Sequence, residues 1–156
     1  MQLNLGMFTF FRDRQIGRKH NLANGTYRIL RSRNIETNSI KNIANYDKYI
    51  NDLTGLTVAK YIDKQNIILL PNLSYSPRAC FLPLNCIADG TVALLINKTM
   101  IKIEQKDFLL FSSDDFRNYY KIARNYGTRS LNIDSNSICY FGIMRKEREF
   151  FQKSEN

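Results

Sequence analysis

The chain of 156 residues holds one histidine, no tryptophan, three prolines and three cysteines. With a single imidazole and no Cys-x-x-Cys pair, it has no ligand spacing for a structural zinc site. A histidine-dependent triad would rest on His20 alone. That residue sits in a basic polar stretch, where a surface position or a phosphate contact is the ordinary role. There is no glycine-rich phosphate loop and no Gly-x-Ser-x-Gly elbow. No apolar run approaches the roughly 20 residues that cross a bilayer, so a membrane is not an expected partner. Residues 1–6 carry neither a charged leader nor a small-residue cleavage site, and a cytoplasmic location is expected. The cysteines, Cys80, Cys86 and Cys139, are odd in number. Cys80 and Cys139 fall inside apolar runs and read as small buried hydrophobes of a reducing compartment.

Acid is scarce as well. The 14 Asp and Glu face 23 Lys and Arg, for a net charge of +9 and a pI of about 9.6. A field of that sign concentrates polyanions, and nucleic acid is the commonest of them. The hydrophobic share of 44% is that of a globular domain, and no repeat, linker or composition break divides the chain. The abundance of Asn, Lys, Ile and Tyr points to an AT-rich bacterial genome.

Periodicity gives the elements. Residues 7–11 form an apolar-aromatic strand, and Asn24 and Gly25 mark a turn into a strand over 26–31. Residues 36–51 are polar and irregular, and 57–64 have the spacing of a short helix. Residues 66–70 are a continuously apolar strand; a proline-bracketed loop, 71–77, leads to another strand over 79–82. After a turn at 88–90, residues 91–96 and 100–103 read as a hairpin bent at Asn97 and Lys98. Ser112 and Asp115 have capping-box spacing, and Phe116, Tyr119, Tyr120 and Ala123 form one helical stripe that Gly127 would end. Residues 138–144 are a last buried strand, and the chain from Arg145 on is a charged tail. The expected fold is α+β: one domain over 1–145 with a mixed, mostly antiparallel sheet and a few short helices, followed by a tail over 146–156.

One carboxylate pattern has a catalytic reading. Asp89, then Glu104 and Lys106 beyond an apolar strand, could hold a divalent metal and a lysine as in a metal-dependent nuclease. The structural reading is a turn dipeptide at Asp89 and Gly90 and a polar link at 104–106. The cations are more informative, because they cluster. One group is Arg12, Arg14, Arg18, Lys19 and His20; a second is Arg28, Arg31, Arg33 and Asn34. The third is Tyr75 and Arg78, in the proline-bracketed loop, and the fourth is Arg124, Tyr126, Thr128 and Arg129. Arginine presents a planar fork that grips a phosphate or the O6/N7 edge of guanine. Asparagine can pair with adenine in the same way, and Asn125 and Asn132 join Asn34 as candidates. An RNA-binding module, using Tyr75 and Tyr126 as stacking platforms, is an alternative. So is a protein-interaction subunit without nucleic-acid contact.

Several segments resemble a known family: residues 11–16 with 27–35, 70–83, 90–96, and 111–120 running to 125–134. In order, they are similar to the target-recognition domain of bacterial adenine-N6 DNA methyltransferases of type II restriction-modification systems. The DNA-recognition domains of type I specificity subunits are more distant relatives. The resemblance implies a DNA-methylase specificity-domain-like fold that binds duplex DNA at a particular sequence. Methyl transfer from S-adenosylmethionine would then belong to a separate methyltransferase or restriction catalytic domain or subunit. The methyltransferase signature needs two adjacent prolines before an aromatic residue, to hold a flipped adenine. No such pair occurs, so a non-catalytic recognition module without a cofactor of its own is expected. Type I subunits also use long spacer helices, and no heptad stretch is present here.

Overall fold

The computed structural model describes residues 2–124 and 131–145. At its centre are two apolar strands, β7 (Ile67–Pro71) and β11 (Val92–Asn97). Both are buried on two faces, which is why they read as continuous apolar runs instead of alternating ones. They pair antiparallel with each other. β2 (Phe8–Phe11) adds to the free side of β11, and β9 (Cys80–Phe81) to that of β7.

Successive side chains of a strand point to opposite faces, and here each face has its own cover. Ile68, Leu70, Ala93 and Leu95 pack with Phe108, Phe111, Phe116 and Tyr120 of two helices, α1 (Gln105–Phe111) and α2 (Asp114–Ala123). Ile67, Leu69, Val92 and Leu94 pack with Ile29, Leu30 and Ile87 of a second sheet. That sheet is β10 (Cys86–Ala88), β3 (Tyr27–Leu30) and β6 (Lys48–Ile50); β10 and β3 run parallel, β3 and β6 antiparallel. The result is an α+β single domain with mostly antiparallel sheets and two short helices.

Two-stranded pairings finish it. β4 (Ile35–Glu36) and β5 (Ser39–Ile40) form a tight hairpin, with Asn38 in the left-handed region at φ 63. β8 (Leu73–Ser74) pairs with β12 (Leu131–Asn132), and β1 (Gln2–Leu5) with the last described strand, β13 (Gly142–Arg145).

Several expectations are corrected. Residues 100–103 are not a hairpin strand, because both edges of β11 are already taken by β2 and β7. The Asn97 side chain instead staples the loop, donating to the Ile101 carbonyl and accepting from Thr99. The link at 104–106 opens α1, where the Glu104 amide donates to Asp107 at 2.7 Å. The cap of α2 is Ser113, whose hydroxyl accepts from the Phe116 amide. Residues 57–61 form a 3₁₀ turn, and the irregular stretch 36–51 contains β5 and β6. Residues 138–140 are also a 3₁₀ turn, and only 142–145 pair as a strand.

Arg145 is no tail residue. It is buried and grips buried Asp107 through both guanidinium nitrogens, one at 2.7 Å, and donates to the Lys102 carbonyl at 3.0 Å. Cys139 is exposed instead of buried. Burial pushes the thiols of Cys80 and Cys86 up to about 12 and about 11, so both are packing groups. Gly127 and the tail over 146–156 lie outside the described residues.

Candidate nucleic-acid interface

Strand directions bring distant arginines together. Arg12 leaves the end of β2, Asn72 leaves the end of β7, and Thr91 leads into β11, which is antiparallel to both; all three share one end of the central sheet. Arg31 leaves β3 and Asp89 leaves the parallel strand β10, and the link from Asp89 to Thr91 joins the two sheets at that same end. Arg78 precedes β9, antiparallel to β7, and arrives there too.

Hydrogen bonds tie these loops into one surface. The Arg12 Nε donates to the Gly90 carbonyl at 2.7 Å. In the amide orientation that satisfies its neighbours, Asn72 accepts from the Arg12 guanidinium at 3.2 Å. Buried Asp13 accepts the amides of Gln15 and Ile16 and turns the chain after Arg12. A Cβ on Gly90 would stand 2.7 Å from the Asp13 carbonyl oxygen, so this approach requires glycine. Asp89 accepts from the Thr91 amide and hydroxyl, and the Thr91 oxygen accepts the Ser32 amide at 3.0 Å. Arg78 donates to the carbonyls of Ile35 (2.9 Å) and Ser32 (3.3 Å).

Over this surface stands Tyr46, which sequence reasoning passed over because it lies in a polar stretch without periodicity. The guanidinium carbons of Arg33 and Arg31 lie 4.8 and 5.4 Å from its ring centroid. Such cation–π contacts hold a guanidinium in place while leaving its N–H edges free. Asp47 fixes the loop that carries Tyr46, accepting from Ile43, Arg28 and Asn34. Burial alone would raise the Asp47 carboxyl. The Ile43 amide, the Asn34 side chain and the Arg28 charge outweigh it and hold the group below its ordinary 3.8.

Two expected contacts are therefore internal. Asn34 is 0% exposed, and its amide spans the Arg31 amide, the Lys41 carbonyl and Asp47. The side chain of Arg28 is 12% exposed and is spent on Asp47, Asn42 and the Lys41 carbonyl. Both position the Tyr46 loop. Arg124 binds the Asn132 carbonyl at 2.8 Å and faces Asp134 at 3.4 Å. Arg18 and Lys19 are exposed, but Lys19 flanks residues 51–56, which follow β6 at the opposite end of its sheet. Nearby, the His20 Nδ1 accepts the Gly17 amide. Arg14 and Arg33 are exposed and have no ion pair among the described residues. Tyr75 is 73% exposed, in the loop after β8; β12 pairs beside it. Tyr126, Thr128 and Arg129 lie outside the described residues.

Anchoring decides which charges project a field. Arg12 and Arg78 are held by neutral carbonyls and keep their full charge, whereas Arg28, Arg31 and Arg124 each face a carboxylate. The positive field of this end is thus carried by Arg12, Arg33 and Arg78.

The carboxylates of the nuclease reading are not brought together. Asp89 lies before β11 and pairs with Arg31 at 3.5 Å. Glu104 lies past the other end of that strand, roughly 20 Å away by strand rise, and pairs with Lys106 at 2.9 Å. Among the described residues no three His, Cys, Asp or Glu side chains group as a metal site, and no helix is long and apolar enough to cross a membrane. No protein-family model matches the chain, and no curated protein is significantly similar to it.

Proposed function

We propose that the chain is a duplex-DNA recognition module with a DNA-methylase specificity-domain-like fold, serving an adenine-N6 methyltransferase or restriction enzyme whose catalysis resides elsewhere. The convergence of Arg12, Arg33 and Arg78, none of them facing a carboxylate among the described residues, on one end of the central sheet carries this reading. In it Arg12 and Arg78, locked to the backbone, are phosphate clamps that set register. Arg33, exposed and held against the Tyr46 ring, reads a base edge in the major groove. Exposed Tyr75, in the loop after β8, flanks the contact, and Tyr126, Thr128 and Arg129 remain proposed contacts on the resemblance alone.

The test is a salt titration of binding to a randomised duplex pool, with sequencing of the retained fraction. A short enriched motif is expected, with log affinity falling by about 0.9 per phosphate contact per unit of log salt. Salt-dependent binding without enrichment would reduce the reading to a general nucleic-acid binder. Absence of binding at low salt, or tighter binding to single-stranded RNA, would overturn it.

A further inference from the structure

At the other end of β7, away from the arginines, lies an open cleft of about 290 Å³ lined by Asp63, Lys64, Gln65, Asn66, Ile67, Phe81, Leu82, Leu84, Lys102 and Ile103. Its floor is apolar: Ile67, Phe81, Leu82 and Ile103, with Leu84 73% exposed at the side. Its rim is cationic. Lys64 and Lys102 are both exposed, and neither has an ion pair among the described residues. The one rim carboxylate, Asp63, is engaged by the Asn85 amide at 2.7 Å.

The walls are unusually defined. Asp63 and Asn66 both hold left-handed backbone, at φ 54 and 63, a conformation that Asp and Asn visit at a cost. The Lys102 carbonyl is fixed by buried Arg145. The volume sits at the low end of specific pockets. It admits one bulky side chain and its neighbours, not a large cofactor. An apolar floor is also wasted on a phosphate backbone, which asks only for charge and hydrogen bonds.

We propose that this cleft docks an acidic peptide segment of a partner protein. The segment inserts a Leu, Phe or Met side chain onto the Ile67, Phe81 and Ile103 floor and lays an adjacent carboxylate against Lys64 and Lys102. Charge complementarity selects the class: two ammonium groups with no ion pair among the described residues, set over apolar surface on a chain of net charge +9, fit an acidic-apolar segment and repel a basic one. Because β7 separates the cleft from the arginine end, the two can be occupied together.

The experiment is selection of a random peptide-display library on the full chain, with excess duplex DNA present to cover the arginine face. Enrichment of a bulky apolar residue next to Asp or Glu is expected. A synthetic peptide from the enriched set should bind wild type at least tenfold more tightly than the Leu84→Glu or Lys102→Glu variant, and equally well to Arg33→Ala. Both substituted side chains are exposed, and an unchanged circular dichroism spectrum and melting temperature would verify the fold. Failure to enrich, enrichment of basic peptides, or binding indifferent to Leu84→Glu and Lys102→Glu would each overturn the proposal. The DNA titration reads out separately, so either proposal can fail without the other.

Discussion

The two ends of β7 are both cationic, yet they are built differently. At the C-terminal end the charges are guanidiniums, and most are tied down: Arg12 to Gly90, Arg78 to Ile35 and Ser32, Arg31 and Arg33 to the Tyr46 ring. At the N-terminal end they are two ammonium groups on flexible stems beside a defined apolar floor. Fixed forks suit a ligand of fixed geometry, because little side-chain entropy remains to be lost on binding. Loose ammoniums beside a shaped hollow suit a ligand that supplies an apolar anchor and needs only an approximate counter-charge.

The comparison breaks most severely at Asp107, which supports the cleft end from below. Asp107→Ala removes the buried carboxylate that Arg145 grips through both nitrogens, and breaking a buried pair from one side costs about 3–5 kcal/mol. Urea unfolding should show a lower midpoint and a loss of unfolding free energy of that size, and hydrogen exchange should show residues 101–104 opening first. A midpoint within error of wild type would mean that the pair does not hold this end together.

Gly90→Ala strikes the arginine end. The added methyl meets the Asp13 carbonyl oxygen and must push the Arg12 turn away from the Asp89 loop, at about 1–3 kcal/mol of overpacking. DNA affinity should fall, while binding of a cleft peptide should not. Equal loss of both would show that the ends are mechanically one unit.

Arg33→Ala should cost about 1–3 kcal/mol on the enriched sequence and relax preference at one position, whereas Arg78→Ala should weaken all duplexes alike. Tyr46→Leu removes only the platform, about 0.5–1 kcal/mol. Cognate and scrambled duplexes, compared by fluorescence anisotropy, read all three. An Arg33→Ala loss shared equally by both duplexes would move Arg33 to the phosphate contacts.

The smallest effect is a pH dependence. The Asp47 carboxyl has a folded value below its ordinary 3.8, so it favours the folded state above that pH. The contribution is lost as pH falls through the lower, folded value. The melting-temperature gap between wild type and Asp47→Asn should therefore be full at pH 5 and narrow below 3.8. A gap independent of pH would assign the loop's order to packing instead of the carboxylate.

The strands of the centre were legible because burial on both faces leaves a continuous apolar run, as in β7 and β11. α2 was legible because a stripe such as Phe116 and Tyr120 belongs to one helix. α1 escaped because its first turn is charged and its apolar face, Phe108 to Phe111, is short. β10 escaped because three residues carry no period, and residues 100–103 misled because an apolar run does not announce that its neighbour's edges are full. The arginine clusters were visible as clusters, but their division was not. Whether a guanidinium meets a carboxylate, as Arg28 meets Asp47, or a carbonyl, as Arg78 meets Ile35, depends on partners 19 and 43 positions away. Only the fold supplies those neighbours, and the same holds for Arg145 and Asp107.

The pairing of β1 with β13 sets Gln2 opposite Arg145. This ladder spans nearly the whole described chain, and such a contact is the entropically slowest to close. During synthesis β1 would wait for β13 before it could settle. The same adjacency makes a covalent loop between the two strands short. A circular permutant joined there and opened at an exposed loop between other elements should keep the architecture while folding in a different order.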